Sequence, residues 1–183
     1  MVKAERDYPY VKESHGIPFD ELIGPFKGKI IGGSGKEILC SIGSDEESAW
    51  IRVFDYRETG YEMKADVEGD TMEAVIYTQF RNGTRHPDFF ARQFLAFALR
   101  RFALQGHEIR RFSAHWIRYG GVRGSKNYEK YMELRKKGEL SIYAAKSTWT
   151  GKALAELGFT EVEEVDEDTG ERVQVYFKRP DQA

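Results

Sequence analysis

The glycine-rich stretch Gly32–Lys36 is the part of the chain closest in composition to a phosphate-binding loop. It contains three glycines and ends in a lysine, as such loops do. The full motif also requires glycine at position 30 and a serine or threonine at position 37, where this chain has Ile30 and Glu37. Because the residue that would bind the metal ion is missing, we interpret the stretch as a turn.

Metal binding and covalent catalysis find little support in the histidines, the cysteine and the serines. The lone Cys40 excludes an intramolecular disulfide and a cysteine-based zinc site, and its place in an apolar run is typical of a core residue. Ser34 and Ser44 lie outside any nucleophile-elbow context. No spacing typical of metal ligands relates the four histidines, His15, His86, His107 and His115. We therefore expect no metal.

Charge is distributed unevenly along the chain. The net charge is only −2, yet positions 37–73 hold eleven acids and three bases, and positions 156–171 hold eight acids and no base. Positions 100–137 between them hold eleven bases and three acids. Cations interleaved with aromatic rings can bind nucleic acid, and this pattern predicts one alternative site at Arg110, Arg111, Arg118 and Arg123. The other interpretation is a solvated helix face that balances the acidic flanks.

The first half of the chain has the patterns of an antiparallel meander. Alternation and apolar runs predict strands, and these are Ile38–Ile42, Trp50–Arg57, Tyr61–Val67 and Met72–Phe80. Three prolines and several glycines before position 37 indicate a loop-rich arm over residues 1–36.

The second half changes to helical periodicity. Pro87 and Asp88 are typical of a helix start, and the apolar residues that follow predict a deeply packed helix over Phe89–Leu104. The later predicted elements are a strand over Ile109–Ile117, helices over Asn127–Lys137 and Leu140–Leu157, and a hairpin turning at 168–170. Ser147 or Thr148 is the expected N-cap of the final helical segment.

These elements predict a single mixed α/β domain over residues 37–183, preceded by the arm 1–36. The expected class is an α+β arrangement with a mostly antiparallel central sheet, helices on both faces and a C-terminal β-hairpin. No apolar run approaches the roughly 20 residues that a membrane span needs. The first residues have no apolar segment typical of a signal peptide, so we expect a cytoplasmic protein without membrane contact.

The element order resembles the core of the Gcn5-related N-acetyltransferase (GNAT) family. There a strand meander leads into a long helix, and then come a strand, a helix ending near "GF" and a final hairpin. The resemblance covers about Ile38 to Lys178 and depends on the helix 89–104, on Gln105–Ile109 leading into a strand, and on Thr150–Phe159. It implies a GNAT-like fold and an N-acyltransferase activity.

The resemblance also implies a site for acyl-CoA. In the family, backbone N–H groups of a glycine-containing loop before the long helix hold the pyrophosphate. The corresponding stretch here is Gln79–Pro87, with one glycine of the motif present. The cofactor-binding residues it implies are Arg81, Gly83, Thr84 and Arg85, and the cofactor would be acetyl-CoA or another acyl-CoA.

Catalytic residues follow from the same resemblance. The family's general acid, a tyrosine four residues before the glycine of "GF", is replaced here by Leu154, and Tyr143 is one possible substitute. For a base, the resemblance implies Glu73 on the predicted fourth strand and His115 on the next. The acceptor would be an amine on a small molecule or a protein, and the acidic flanks favour a cationic one.

Two alternatives stay open beside the acyltransferase. The first is a protein that keeps the fold without the chemistry and acts as a binding module for a protein partner, for example in a bacterial toxin, immunity or phage-related complex. The second is a nucleic-acid-binding domain, with RNA as a ligand for the basic segment 100–137.

Overall fold

A computed structural model describes residues 26–31, 37–53, 62–77, 91–118, 126–168 and 170–181. Together these residues form an α+β structure with eight strands and four helices. The strands are β1 (Phe26–Ile31), β2 (Glu37–Ser44), β3 (Ser48–Val53), β4 (Glu62–Glu68), β5 (Thr71–Tyr77), β6 (Arg111–Ile117), β7 (Glu161–Asp168) and β8 (Arg172–Lys178). The helices are α1 (Ala91–Leu104), α2 (Lys126–Lys136), α3 (Ser141–Lys146) and α4 (Trp149–Glu156). The predicted α+β class with a mixed sheet is confirmed, while the GNAT-like arrangement stays a prediction.

The chain divides into two compact units. The first contains the described residues up to Glu68 and those from Ala74 to Glu108, and the second contains Gly69–Glu73 and the described residues from Ile109 onward. The predicted division into an arm 1–36 and a domain 37–183 stays a prediction. Strand β1 lies within the stretch predicted as loop-rich, so the prolines and glycines around it concealed a strand.

The first unit is an antiparallel sheet that α1 contacts. Neighbouring strands from β1 to β4 pair in chain order, and α1 contacts β3 and β4. The core side chains alternate along these strands and recur along the helix, as half-buried elements require. They are Ala49, Met63, Ala65, Phe94, Phe97 and Phe102, each fully buried. The predicted meander is confirmed where it is described, and positions 54–61 and 78–90, which include Pro87, lie outside the described residues.

The second unit is a mixed sheet formed, in order, by the first three residues of β5, by β6, by β8 and by β7. Residues Thr71–Glu73 of β5 pair with Arg111–Ser113 of β6 in parallel. Strand β6 then pairs with β8, and β8 with β7, both antiparallel. The last two strands form the predicted C-terminal hairpin, and Gly170 adopts a φ of 74° in its turn.

One face of this second sheet forms the core of the unit. Trp116 of β6 lies 5.8 Å from Tyr131 of α2, and Phe112 lies 6.4 Å from Phe159 after α4, measured between ring centroids. The antiparallel register places Val173, Val175 and Phe177 of β8 opposite Trp116, Ala114 and Phe112. All of these side chains are buried. The helices therefore cover the face of β6 that carries its even-numbered residues.

The last helical stretch is divided into two helices at Thr148, one of the two residues predicted as an N-cap. Leu140–Leu157 forms two helices, α3 and α4, because Thr148 is extended and its hydroxyl accepts a hydrogen bond from the Gly151 N–H at 3.0 Å. The end of α4 is closed by Gly158 at a φ of 93°, with the N–H of Phe159 donating to the carbonyl of Leu154. This is the Schellman motif that a "GF" ending favours.

Gly151 is required by the close contact between α3 and α4. A Cβ atom at this position would lie 2.4 Å from the Ala145 carbonyl oxygen and 2.7 Å from that of Lys146. We expect Gly151→Ala to lower the free energy of unfolding by about 2–3 kcal/mol, because backbone must move to relieve the overlap. Urea denaturation measures this change. Lys152→Ala, at the exposed neighbouring position, is the control, and equal stability of the two variants would contradict the packing described here.

A buried tyrosine links α2 to β7. The Tyr131 hydroxyl donates a hydrogen bond to Glu167, and Arg135 Nε donates to the same carboxylate oxygen at 2.9 Å. Burial, reinforced by Glu167, raises the pKa of Tyr131 above its ordinary value. The Tyr131 hydrogen bond, helped by Arg135, holds the pKa of Glu167 below its usual range, although partial burial opposes this.

The lowered pKa of Glu167 makes its contribution to stability depend on pH. A carboxyl whose pKa falls on folding stabilises the protein above its unfolded pKa of about 4.3, and this contribution disappears as the pH falls through the folded pKa. We expect Glu167→Gln to be less stable than the wild type at pH 7 and the difference to shrink below about pH 4. Thermal denaturation across pH measures it, with Glu164→Gln as control on the same strand. A difference independent of pH would contradict the assignment.

Candidate functional site

The second face of the mixed sheet in the second unit is polar. Its residues alternate with the core residues of β6 and β8, so that His115 lies opposite Gln174 and Ser113 lies opposite Tyr176. On the other side of β6, the parallel register places Glu73 opposite Ser113. Three strands thus bring together side chains from three separate parts of the chain.

Hydrogen bonds connect these side chains around one imidazole nitrogen. The Nε2 atom of His115 lies 3.0 Å from Ser113 Oγ and 3.1 Å from the side-chain nitrogen of Gln174. That amide nitrogen also donates to Ser113 Oγ at 3.2 Å and to the Tyr176 hydroxyl oxygen at 2.7 Å. Ser113 is buried, with 4% of its surface exposed, so these contacts satisfy a hydroxyl that little water reaches.

Glu73 adds a carboxylate to the same nitrogen. Its Oε2 lies 3.6 Å from His115 Nε2, which is an ion-pair distance when the imidazole is protonated. The side chains of His115 and Glu73 are 30% and 52% exposed, so both can be reached from solvent. An imidazole beside a carboxylate can accept a proton and have the resulting charge stabilised, which is the arrangement of a general base.

The geometry differs from that of a serine–histidine–acid triad. In a triad the serine and the acid contact the two different ring nitrogens of the histidine. Here Ser113 and Glu73 both lie next to Nε2 of His115. Because Ser113 is also buried in the middle of a strand, the arrangement favours proton transfer at His115 over covalent catalysis at Ser113.

Arg111 borders this cluster on β6. Its Nη2 lies 2.6 Å from Glu163 Oε2, and its guanidinium lies 4.8 Å from the centroid of the Tyr176 ring. Its Nε is buried without a hydrogen-bond partner among the described residues. The ion pair and the ring contact together fix the position of Tyr176 at the edge of the cluster.

The structure therefore brings together two of the predicted catalytic residues and leaves the third apart. Glu73 and His115 lie side by side, whereas Tyr143 lies on α3 with 59% of its surface exposed. Helix α3 contacts α2, α4 and β7, and so belongs to the helical layer on the opposite face from His115. Leu154 is fully buried in that layer.

The residues of the predicted acyl-CoA loop belong to the part of the chain that is not described. Arg81, Gly83, Thr84 and Arg85 lie outside the described residues, as does Arg123 of the predicted nucleic-acid site. These assignments stay predictions.

The basic segment uses much of its positive charge within the unit. Arg111 pairs with Glu163 and contacts Tyr176, while Arg110 and Arg118 are exposed at the two ends of β6. Four cations on or next to α2 pair with carboxylates, in the pairs Lys126–Glu129, Lys130–Glu133, Lys137–Glu133 and Arg135–Glu167. This pairing is what a helix face balanced by acids within the same fold would show, and the nucleic-acid site stays a prediction.

Sequence reasoning missed Ser113, Gln174 and Tyr176. The available signal was the alternation of apolar and polar residues over Val173–Phe177. Gln174 and Tyr176 alternate there with three buried residues, Val173, Val175 and Phe177. That pattern shows that the two side chains share a face of β8. It does not give the register against β6, which decides that Gln174 lies opposite His115.

Large apolar side chains are exposed at the start of α3. Leu140, Ile142 and Tyr143 are 65%, 45% and 59% exposed. Exposed apolar groups that lie close together are typical of surfaces that contact another protein. Among the described residues of the second unit, this group is one place where the binding-module alternative would have a contact surface.

Neither a membrane-spanning helix nor a metal cluster is found in the part of the chain that the structure describes. None of the four helices is long and apolar enough to cross a membrane. The described histidine, cysteine, aspartate and glutamate residues form no group of three or more that could hold a metal ion.

Comparison of the chain with models of known protein families, with curated proteins and with solved structures found no match. The resemblance to the GNAT family therefore stays a prediction, based on element order and short motifs.

Arg111 should contribute measurably to stability. We expect Arg111→Ala to lower the free energy of unfolding by about 1 kcal/mol, because it removes a partly exposed ion pair and a cation–ring contact that are each typically worth about 0.5–1 kcal/mol. Chemical denaturation measures the loss. Lys130→Ala, which removes only an exposed pair on one helix, is the control, and an equal loss in both variants would contradict the assigned contacts.

Proposed function

We propose that the polar face of the second unit is the proton-accepting centre of an N-acyltransferase that uses acetyl-CoA or another acyl-CoA. The observation that carries the proposal is the 3.6 Å distance between Glu73 Oε2 and His115 Nε2. Both residues were implied as bases by the family resemblance, although 42 positions separate them in the chain. Their meeting on adjacent strands is what a shared catalytic role requires.

His115 acts as the base in this proposal. Nε2 accepts the excess proton of the protonated acceptor amine, and the amine nitrogen then attacks the thioester carbon of acyl-CoA with the lone pair that this frees. The C–N bond forms, the C–S bond breaks, and the sulfur leaves with its electron pair. The second proton that the nitrogen loses passes through solvent to this thiolate, which becomes the free thiol. The Glu73 carboxylate stabilises the imidazolium formed at His115.

The strand arrangement supports the same assignment. In the resembled family the acyl-CoA arm enters beside the fourth and fifth strands, to which β5 and β6 correspond. These two strands run parallel, and their ladder covers three residue pairs and ends at Glu73 opposite Ser113. Arg81, Gly83, Thr84 and Arg85 remain the proposed pyrophosphate ligands.

The acceptor proposed for this site is a cationic amine. The hairpin strand β7 presents Glu164 and Asp166, both exposed, opposite Tyr176 and Gln174 of β8. Carboxylates attract a protonated amine and raise its local concentration. The amine must lose its excess proton before attack, which is the task assigned to His115.

Ligand binding tests the proposal first. A ligand present at about one hundred times its Kd stabilises a protein by about 2.7 kcal/mol. We expect acetyl-CoA to raise the melting temperature of the wild-type chain, with desulfo-CoA and ATP as comparison ligands. Absence of any shift with millimolar CoA or acyl-CoA would contradict the proposal and leave the binding-module and nucleic-acid alternatives.

Substitution of the pair tests the catalytic roles. We expect His115→Gln and Glu73→Gln to lower the rate of thiol release from acyl-CoA in the presence of a panel of amines. The expected loss for His115→Gln is roughly 10²–10⁴-fold, the usual contribution of a general base, and the loss for Glu73→Gln should be smaller. Glu129→Gln on α2, whose carboxylate pairs with Lys126 on the same helix, is the control. Unchanged rates in both pair variants would contradict these roles.

A further inference from the structure

The hydrogen bonds around His115 have a direction that follows from counting donors. The side-chain nitrogen of Gln174 carries two hydrogens and only donates. One hydrogen goes to the Tyr176 hydroxyl oxygen at 2.7 Å, and the other lies between His115 Nε2 at 3.1 Å and Ser113 Oγ at 3.2 Å. The Ser113 oxygen and His115 Nε2 therefore both face a donor.

The hydroxyl hydrogen of Ser113 then has one clear partner. Ser113 is buried, and His115 Nε2 lies 3.0 Å from its oxygen. A buried hydroxyl whose oxygen already faces a donor donates its own hydrogen to the nearest acceptor. Nε2 can accept only when it carries no proton, so the neutral imidazole must carry its proton on Nδ1.

We propose that Ser113 and Gln174 are positioning residues that hold neutral His115 as the Nδ1–H tautomer, with the Nε2 lone pair on the polar face beside Glu73. Among the described residues, the groups facing His115 are Glu73 on β5, Ser113 on β6 itself, and Gln174 on β8, with Tyr176 held by Gln174. The catalytic consequence of this tautomer rests on the proposed function. Nε2 is then the atom that takes the amine proton. Once Nε2 is protonated, Ser113 Oγ accepts a hydrogen bond from it instead of donating one.

His107 provides an internal reference for this proposal. Its Nε2 lies 2.7 Å from the backbone carbonyl oxygen of Glu46, which only accepts hydrogen bonds. Neutral His107 must therefore carry its proton on Nε2. The two histidines of one chain should show opposite tautomers because their Nε2 atoms face opposite kinds of partner.

Nitrogen NMR of the intact chain without substrate tests the tautomers. Spectra are recorded at alkaline pH, where imidazoles are neutral, and His107→Gln and His115→Gln assign the signals. We expect His115 to show an unprotonated Nε2 and a protonated Nδ1, and His107 the reverse. A wild-type His115 protonated at Nε2 would overturn the proposal.

Gln174→Glu tests whether Gln174 determines the tautomer of His115. The introduced carboxylate accepts instead of donating, so we expect His115 to change to the Nε2–H tautomer while His107 stays unchanged. The kcat for acyl transfer should fall by up to roughly 10²–10⁴-fold with little change in KM. An unchanged His115 tautomer in a folded variant would overturn the role of Gln174. If this variant does not fold, Gln174→Met is the alternative, because it leaves Ser113 in contact with His115 Nε2 and removes the amide. We expect His115 in this variant to be a mixture of the two tautomers. A single Nδ1–H tautomer, as in the wild type, would overturn the role of Gln174.

The two proposals can fail separately. Absence of acyl transfer by the wild-type chain would overturn the enzyme proposal alone, because the tautomer is measured without acyl-CoA or amine. The Nε2–H form in the wild type would overturn the tautomer assignment and the role of Nε2, whereas acyl transfer by the same protein would still support the enzyme proposal, with Glu73 or Nδ1 of His115 as the base.

Discussion

The two-residue period of β6 is the constraint on which the second unit depends. Even-numbered residues Phe112, Ala114 and Trp116 are buried against the helical layer, which commits Ser113 and His115 to the other face. A shift of one residue in register would move Ser113 and His115 into the core and expose the aromatic rings. The protein would lose the free energy gained by burying these apolar side chains. The hydrophobic contact of one face therefore holds the polar cluster of the other in place.

Much of the fold could be predicted from local patterns. The Thr148 cap, the Gly158 turn and the hairpin around Gly170 were visible because capping and turn chemistry depends on residues close together in the chain. Strand β1 was not predicted, since a short strand with two lysines and a glycine has little alternation to detect. The family arrangement could not be settled by such patterns, because the order of elements along the chain does not determine how they are placed in space.

The candidate site was predictable only in part, for a related physical reason. Glu73 and His115 could be named from their places on predicted strands, but Gln174 and Ser113 gain meaning only from the register between β6 and β8. Register depends on contacts between distant parts of the chain. Leu154 is informative in another way: it stands where the resemblance would place a tyrosine, and it is completely buried.

The most direct test of the central claim is the response of His115 to a bisubstrate analogue, in which CoA is joined through its sulfur to an amine-bearing acyl group. We expect the ring signals of His115 to shift on addition of this compound to the wild-type chain, while those of His107 stay unchanged. The response to CoA alone should be smaller, because only the conjugate carries an amine to the imidazole. Binding of the conjugate without any change at His115, or no binding at all, would contradict the assignment of the Glu73–His115 pair as the acyltransferase base.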